Sequence, residues 1–322
     1  MFYKLSSVLF LFAIGNSIRA QTFDFNPNCR DAYNTILCLK LDKGSALLRA
    51  EEKSNPSNLI PVYLENYIDF LTIYTTDTYQ QYEQLRKNKD VKLEQLDSGD
   101  RSSPYYLFTQ AEVNLQWAAT DLKFGEYLNA LFEIRKSYKL LVENQKRFPD
   151  FKANKKSLGV LYALLGSVPD KYKWGVTLLG MEGNVEKGIC YLKDLVEFGK
   201  KNDFIYQDET IIYYTFLLYH LQNQGELAWQ TLMNNNFPGS GNLMKVYACA
   251  HIGIYGKHTT DALEILNKKP TDSSFIKFPL FDYLTGLAKL NSLDSDAASY
   301  FKMFLAENKG ENHIKSSYQK IA

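Results

Sequence analysis

The chain has 322 residues, 45% of them hydrophobic and 23% charged, with 37 basic residues against 36 acidic. This composition supplies enough apolar material for a sizeable core and excludes a disordered chain. The near-neutral balance gives no footing for nucleic-acid binding, whose affinity comes mostly from phosphate neutralisation.

Residues 1–20 begin MFYK, run through the apolar SSVLFLFAIG and close on SIRA before Gln21, the three-part layout of a secretory signal peptide. The apolar run is too short to span a bilayer, which takes about 20 residues. Cleavage is expected after Ala20, although Ile18 is bulkier than the small residue usual at that place; a buried N-terminal helix is the alternative reading. Gln21 stands where lipid attachment would need a cysteine. Losing Lys4 and Arg19 from the 37 basic residues leaves 35 against 36 acidic. No transmembrane segment is expected after signal removal, and peripheral membrane association stays open.

From residue 21 onward the periodicity is helical. In YLENYIDFLTIYTTDTYQQYEQL, apolar residues recur three or four apart at Tyr63, Tyr67, Phe70, Leu71 and Tyr74, one stripe of a helix. No long apolar–polar alternation is bounded by hairpin turns, so no strand is expected. Breaks recur at 54–58, 98–104, 148–151, 167–170, 234–242 and 268–274, each rich in Pro, Gly, Ser, Asn or Asp. Residues 21–103 are expected to form an N-terminal helical cap with loose repeat character. The basic stretch NQKRFPDFKANKK at 144–156 reads as a solvated helix end. If the helix from Asp31 extends back to Cys29, Cys29 and Cys38 would stand about 13 Å apart on opposite faces, and they could bond only if Asn28 and Cys29 fold back as a loop. A disulfide needs Cα atoms within about 7 Å. Cys190 and Cys249 sit in apolar helical patterns, so mostly free, buried thiols are expected.

A phrase recurs in FGEYLNALFEI (124–134), EGNVEKGICYL (182–192), YGKHTTDALEIL (255–266) and NSLDSDAASYF (291–301). Each holds a turn, then a small residue (Ala130, Gly188, Ala262, Ala297), then a large apolar residue four places on (Ile134, Leu192, Leu266, Phe301). A degenerate fifth copy carries Ala228 and Leu232. The small residue lets a second helix lie close, and the large one fills the seam between hairpins. Twelve residues before each small position stand Ala118, Val176, Phe216, Ala250 and Thr285; the small ones, Ala118, Ala250 and Thr285, are expected to face Ala130, Ala262 and Ala297.

This rhythm, over residues 104–308, resembles the tetratricopeptide repeat, a helix-turn-helix unit of about 34 residues. The stretch ALLGSVPDKYKWGVTLLGMEGNVEKGICYLKDLV is also similar to a signature of the eukaryotic inclusion-body-clearance family of such proteins and of uncharacterised exported bacterial relatives. That family brings no established enzymatic chemistry. The resemblance implies an all-α fold of antiparallel helical hairpins stacked as a right-handed α-solenoid. Residues 309–322, with Ile314, Tyr318 and Ile321 on one stripe, are expected to be the first helix of a further, incomplete hairpin or a C-terminal cap.

Gly183 and Gly188 have the separation of a phosphate-binding loop but are followed by Ile189 and Cys190, where that loop needs Lys and a hydroxyl. Gly180 reads instead as a helix end, Gly183-Asn184 as a turn and Gly188 as the small residue at a helix crossing. His220, His251, His258 and His313 lack metal-ligand spacing, no G-x-S-x-G elbow occurs, and Asp208-Glu209 has no partner identifiable from sequence. No cofactor, metal or catalytic residue is assigned.

Binding residues are legible as stripes on two first helices, Tyr213, Leu217 and His220, then Tyr247, His251 and Tyr255. First helices line the concave face of stacked hairpins, so Tyr213, His220, Tyr247, His251 and Tyr255 are expected to line a groove, with Lys123 and Lys289 at its ends. Core packing is the competing reading. The expected function is a scaffold holding a protein or peptide; the alternatives are a glycan or small-molecule binder of the cell envelope, or an enzyme of unrecognised type. The one N-x-[ST] pattern, Asn55-Pro56-Ser57, is disabled by its proline, in keeping with a bacterial periplasm or envelope.

Overall fold

The breaks read from the sequence separate helices throughout the computed structural model, which describes residues 21–235 and 241–322. The expected signal peptide, residues 1–20, lies outside the described residues. The N-terminal part carries α1 (Pro27–Leu37), α2 (Leu41–Ser54), α3 (Ile60–Thr76), α4 (Tyr79–Arg86) and α5 (Asn88–Asp97). The middle carries α6 (Pro104–Lys123), α7 (Tyr127–Arg147), α8 (Ala153–Gly166), α9 (Asp170–Leu178), α10 (Val185–Gly199), α11 (Gln207–Gln222) and α12 (Gly225–Met233). Then follow α13 (Leu243–Tyr255), α14 (Thr259–Asn267), α15 (Leu280–Asn291), α16 (Ala297–Glu307) and α17 (Ile314–Ile321). Among the described residues the only β-type pairing is an isolated bridge between Thr22 and Asn58.

Local chemistry starts these helices where the sequence changes character. Ser103 accepts from the Tyr105 N–H ahead of α6, with Pro104 at its first position. Asn184 does the same for α10 through Lys187 N, and Asn242 for α13 through Lys245 N. Each cap satisfies a donor that the helix itself leaves unpaired.

Neighbouring helices pack as pairs: α1 with α2, α6 with α7, α8 with α10, α11 with α12, α13 with α14, α15 with α16, and α17 against α16. Ala118, Ala130, Leu192, Ala250, Ala262 and Ala297 are all buried. Gly188 is buried too, and a Cβ there would come within 2.4 Å of Gly159 O and 2.6 Å of Ala163 N. Its partner is therefore α8. The twelve-residue count, which lands on Val176, does not reach that partner, because α9, a short helix with no buried residue, stands in the chain between the two packed helices. Gly180 adopts φ +71° just past α9, and Gly183 lies so close to the end of α8 that a Cβ would meet Gly166 N at 2.3 Å.

The N-terminal helices sit inward. On α3, Asn66 donates to Gln116 Oε1 at 2.6 Å and accepts from Trp117 Nε1 at 2.9 Å, both on α6. The α1 hydroxyl of Tyr33 reaches Glu209 on α11 at 2.9 Å. The far end of the chain also returns to its beginning. Asn312 Nδ2 donates to Asp77 Oδ1 at 2.7 Å, and Ile276 N donates to Leu39 O at 2.9 Å. Tyr33, Tyr63 and Tyr67, large buried rings on α1 and α3, pack against one another, Phe108 of α6 and Tyr206 just before α11.

All four cysteines are free, and Cys29, Cys38 and Cys249 are buried. Cys190 is exposed, contrary to the expectation of a core position, because Gly188 and Leu192 occupy the inward face of α10. Burial pushes the Cys29 and Cys249 thiols up to about 12. Maleimide is therefore expected to modify Cys190 rapidly in the native protein and all four thiols after denaturation. Native labelling of Cys249 at the Cys190 rate would show the α13 core to be open.

Candidate binding cleft

A charged cluster lies at the centre of the fold. Lys156 on α8 is 0% exposed, and its ammonium donates to Glu112 Oε2 of α6 at 2.6 Å and Glu209 Oε2 of α11 at 2.9 Å. Glu209 also accepts from the hydroxyls of Tyr33 at 2.9 Å, Tyr67 at 3.0 Å and Tyr213 at 2.6 Å, and Ser157 donates to Glu112 Oε1. Five helices thus meet on three charges. The reading of 144–156 as a solvated helix end is corrected here: its last residue is the buried cation.

Desolvation opposes every charge in this cluster, and the partners decide which survive. Burial, together with the charge of Glu209, raises the Glu112 carboxyl despite the opposing Lys156. For Glu209, burial is outweighed by Lys156 and the Tyr213 hydroxyl, leaving its carboxyl below the ordinary value. For Lys156, burial is outweighed by the two carboxylates, and its ammonium is held above the ordinary lysine value. The cluster is thus centred on a Lys156–Glu209 ion pair, with Glu112 drawn toward its neutral form.

Beside this cluster, residues of α3, α6, α8, α11 and α13 line two adjoining cavities. One cavity of about 270 Å³ takes in Tyr67, Asp208, Glu209, Lys123 and His313. A second, of about 380 Å³, takes in Glu112, Leu115, Ala119, Leu122, Leu164 and Phe216. Phe70, Tyr74, Ile212, Tyr213 and Tyr247 line both. Leu122 and Leu164 of the second cavity remain 47% and 46% exposed. The walls are aliphatic and aromatic, with a few polar groups from the central cluster, the usual make-up of a ligand pocket.

The residues singled out as groove-lining are distributed as follows. Tyr213 and Tyr247 line both cavities, and Lys123 lines the smaller one while paired with Asp77 at 2.5 Å. His251 lies beside Phe216 with ring centroids 5.1 Å apart, and is itself 5.5 Å from His220 and 5.1 Å from Tyr255. None of His220, His251 and Tyr255 lines either cavity, so the stripes contribute only Tyr213 and Tyr247 to the cleft. Burial, aided by His220 and His313, lowers the His251 imidazole to about 4, so it is neutral at pH 7. Lys289 pairs with Asp294 at 2.6 Å across the turn between α15 and α16, and it lines neither cavity.

Sequence reasoning missed Phe70 and Tyr74 as cleft residues because α3 was assigned to a cap. The signal was present, since both lie on the stripe of Tyr63, Tyr67 and Leu71. His258 pairs with Glu226 at 2.9 Å and stacks on Trp229 at 4.6 Å. Among the described residues no three His, Cys, Asp or Glu side chains converge as a metal site, and no helix is long and apolar enough to cross a membrane. No protein-family model matches the chain, and no curated protein matches it.

Proposed function

We propose that this chain is a tetratricopeptide-like binding protein, its helix pairs stacked as a right-handed α-solenoid, exported to the cell envelope. Its partner is a protein or peptide that inserts apolar and aromatic side chains into the cleft between α3 and the helices α6, α8, α11 and α13. The observation that carries this reading is the wall shared by two adjoining cavities, Phe70, Tyr74, Ile212, Tyr213 and Tyr247, opening past the half-exposed Leu122 and Leu164. Large rings offered at low entropic cost are the usual anchors of a binding surface. The layout of residues 1–20 supports export.

Peptides selected from a random library on residues 21–322 provide the test. Ile212→Trp, which fills the shared wall, is expected to weaken the selected peptides at least about tenfold, or 1.4 kcal/mol, with little change in melting temperature. Full affinity in a folded Ile212→Trp would move the binding site elsewhere.

A further inference from the structure

The smaller cavity carries one carboxylate that no hydrogen bond or ion pair among the described residues engages, although the Lys245 charge acts on it. Its walls include the rings of Tyr67, Phe70, Tyr74, Tyr213, Tyr247 and Phe278. Among its charged lining groups, Glu209 is engaged by Lys156, and Lys123 is engaged by Asp77. His313 lies against Tyr283 with ring centroids 4.4 Å apart; burial, only partly offset by Asp77, holds its imidazole below the ordinary value and hence neutral at pH 7. Asp208 remains. It lies in the first turn of α11, half-buried, and its carboxylate accepts no hydrogen bond among the described residues.

We propose that this end of the cleft receives the ammonium group of an amine with a compact apolar body, paired with the Asp208 carboxylate and surrounded by the aromatic walls. The inference rests on the cleft being the binding site and names the chemistry of what enters it. A cation is attracted to ring faces as well as to the carboxylate, whereas an anion would meet Asp208 and Glu209 together. A volume of about 270 Å³ suits a small monoamine.

Burial lifts the Asp208 carboxyl to about 7, against the opposing field of Lys245 on α13. Lys245 of α13 and Lys123 of α6 are the lysines nearby, Glu209 is held ionised by Lys156, and the neighbouring Cys38 thiol is raised by burial and stays protonated. Asp208 is therefore ionised and able to pair above about pH 7, and neutral below it.

Titration calorimetry with 2-phenylethylamine, 2-phenylethanol and 3-phenylpropionate, on the wild type and Asp208→Asn at pH 8 and pH 6, tests this. The amine is expected to bind best at pH 8 and about tenfold more weakly at pH 6, since roughly a tenth of the carboxyl stays ionised one unit below its pKa. In Asp208→Asn, the amine should bind about tenfold more weakly at pH 8 and lose its pH dependence. This variant removes a desolvated carboxylate, so its melting temperature at pH 8 should be no lower than that of the wild type.

Phenylalanyl-leucinamide with a free or acetylated N-terminus separates the two sources of the group. Preference for the free form assigns it to a peptide end, and tight phenylethylamine binding without that preference assigns it to a free amine; both support the inference. The alcohol binding as tightly as the amine, or Asp208→Asn keeping full amine affinity, overturns the inference and leaves the cleft standing as an apolar site. Binding by none of the three probes overturns it as well, and the cleft itself is then judged by the selected peptides.

Discussion

Lys156→Met is expected to lower the unfolding free energy by about 3–5 kcal/mol, the usual cost of removing one partner from a buried ion pair. The methionine fills similar space, so the loss is electrostatic. Glu112 and Glu209 would then share a dry site with no cation, Glu209 keeping only the hydroxyls of Tyr33, Tyr67 and Tyr213. Set against a total stability of about 5–15 kcal/mol, this is a large fraction, and a melting-temperature fall on the order of 10 °C follows. Adding Glu112→Gln to Lys156→Met should recover part of the loss, because it removes the second carboxylate. A urea titration of the four members of this double-mutant cycle measures the coupling directly. Independent, additive effects would show that the three charges do not act as one cluster.

Gly188→Leu is expected to cost about 3 kcal/mol, the upper part of the range for overpacking a tight core. The cost is set by backbone, since the first added carbon would already stand 2.4 Å from Gly159 O and 2.6 Å from Ala163 N. No side-chain rotation relieves that, and α10 must move away from α8. Gly188→Ala should therefore also destabilise. Gly175→Ala on α9 supplies the contrast: nothing lies within 4 Å of its would-be Cβ, and alanine favours the helix. Thermal melts should show a clear fall for both Gly188 variants and none for Gly175→Ala.

The small positions and the breaks were legible in the sequence because they are local. Proline and capping residues at 103–104, 184 and 242 end or begin helices through bonds to near neighbours. Ala130, Ala262 and Ala297 recur at one place relative to their turns, and all are buried. The partner of Gly188 was not legible, because α9 breaks the twelve-residue spacing and nothing local marks a helix as an insertion. Cys190 sits two residues from Gly188 and from Leu192, and only the geometry of the α8–α10 contact decides that it faces outward.

The candidate site was legible in part. Tyr213 and Tyr247 were found as stripes on α11 and α13, but the rings that join them on the wall, Phe70 and Tyr74, come from a helix far earlier in the chain. Lys156 was hidden by its company. It closes a basic run that reads as solvated, yet it stands three residues before Gly159 and seven before Ala163, on the inward face of α8. Its partners Glu112 and Glu209 each lie on a helix with buried aromatic neighbours, and bringing the three together requires knowing which helices meet.

The central claim, that ligand enters between α3 and the helices α6, α8, α11 and α13, is tested most directly by hydrogen exchange of the wild-type protein with and without a selected peptide. Slowed exchange in α3, α11 and α13, abolished by Ile212→Trp, is the predicted result. Protection confined to the outward-facing residues of α7 and α9, where Phe132 and Trp174 are exposed, and unaffected by Ile212→Trp, would contradict it.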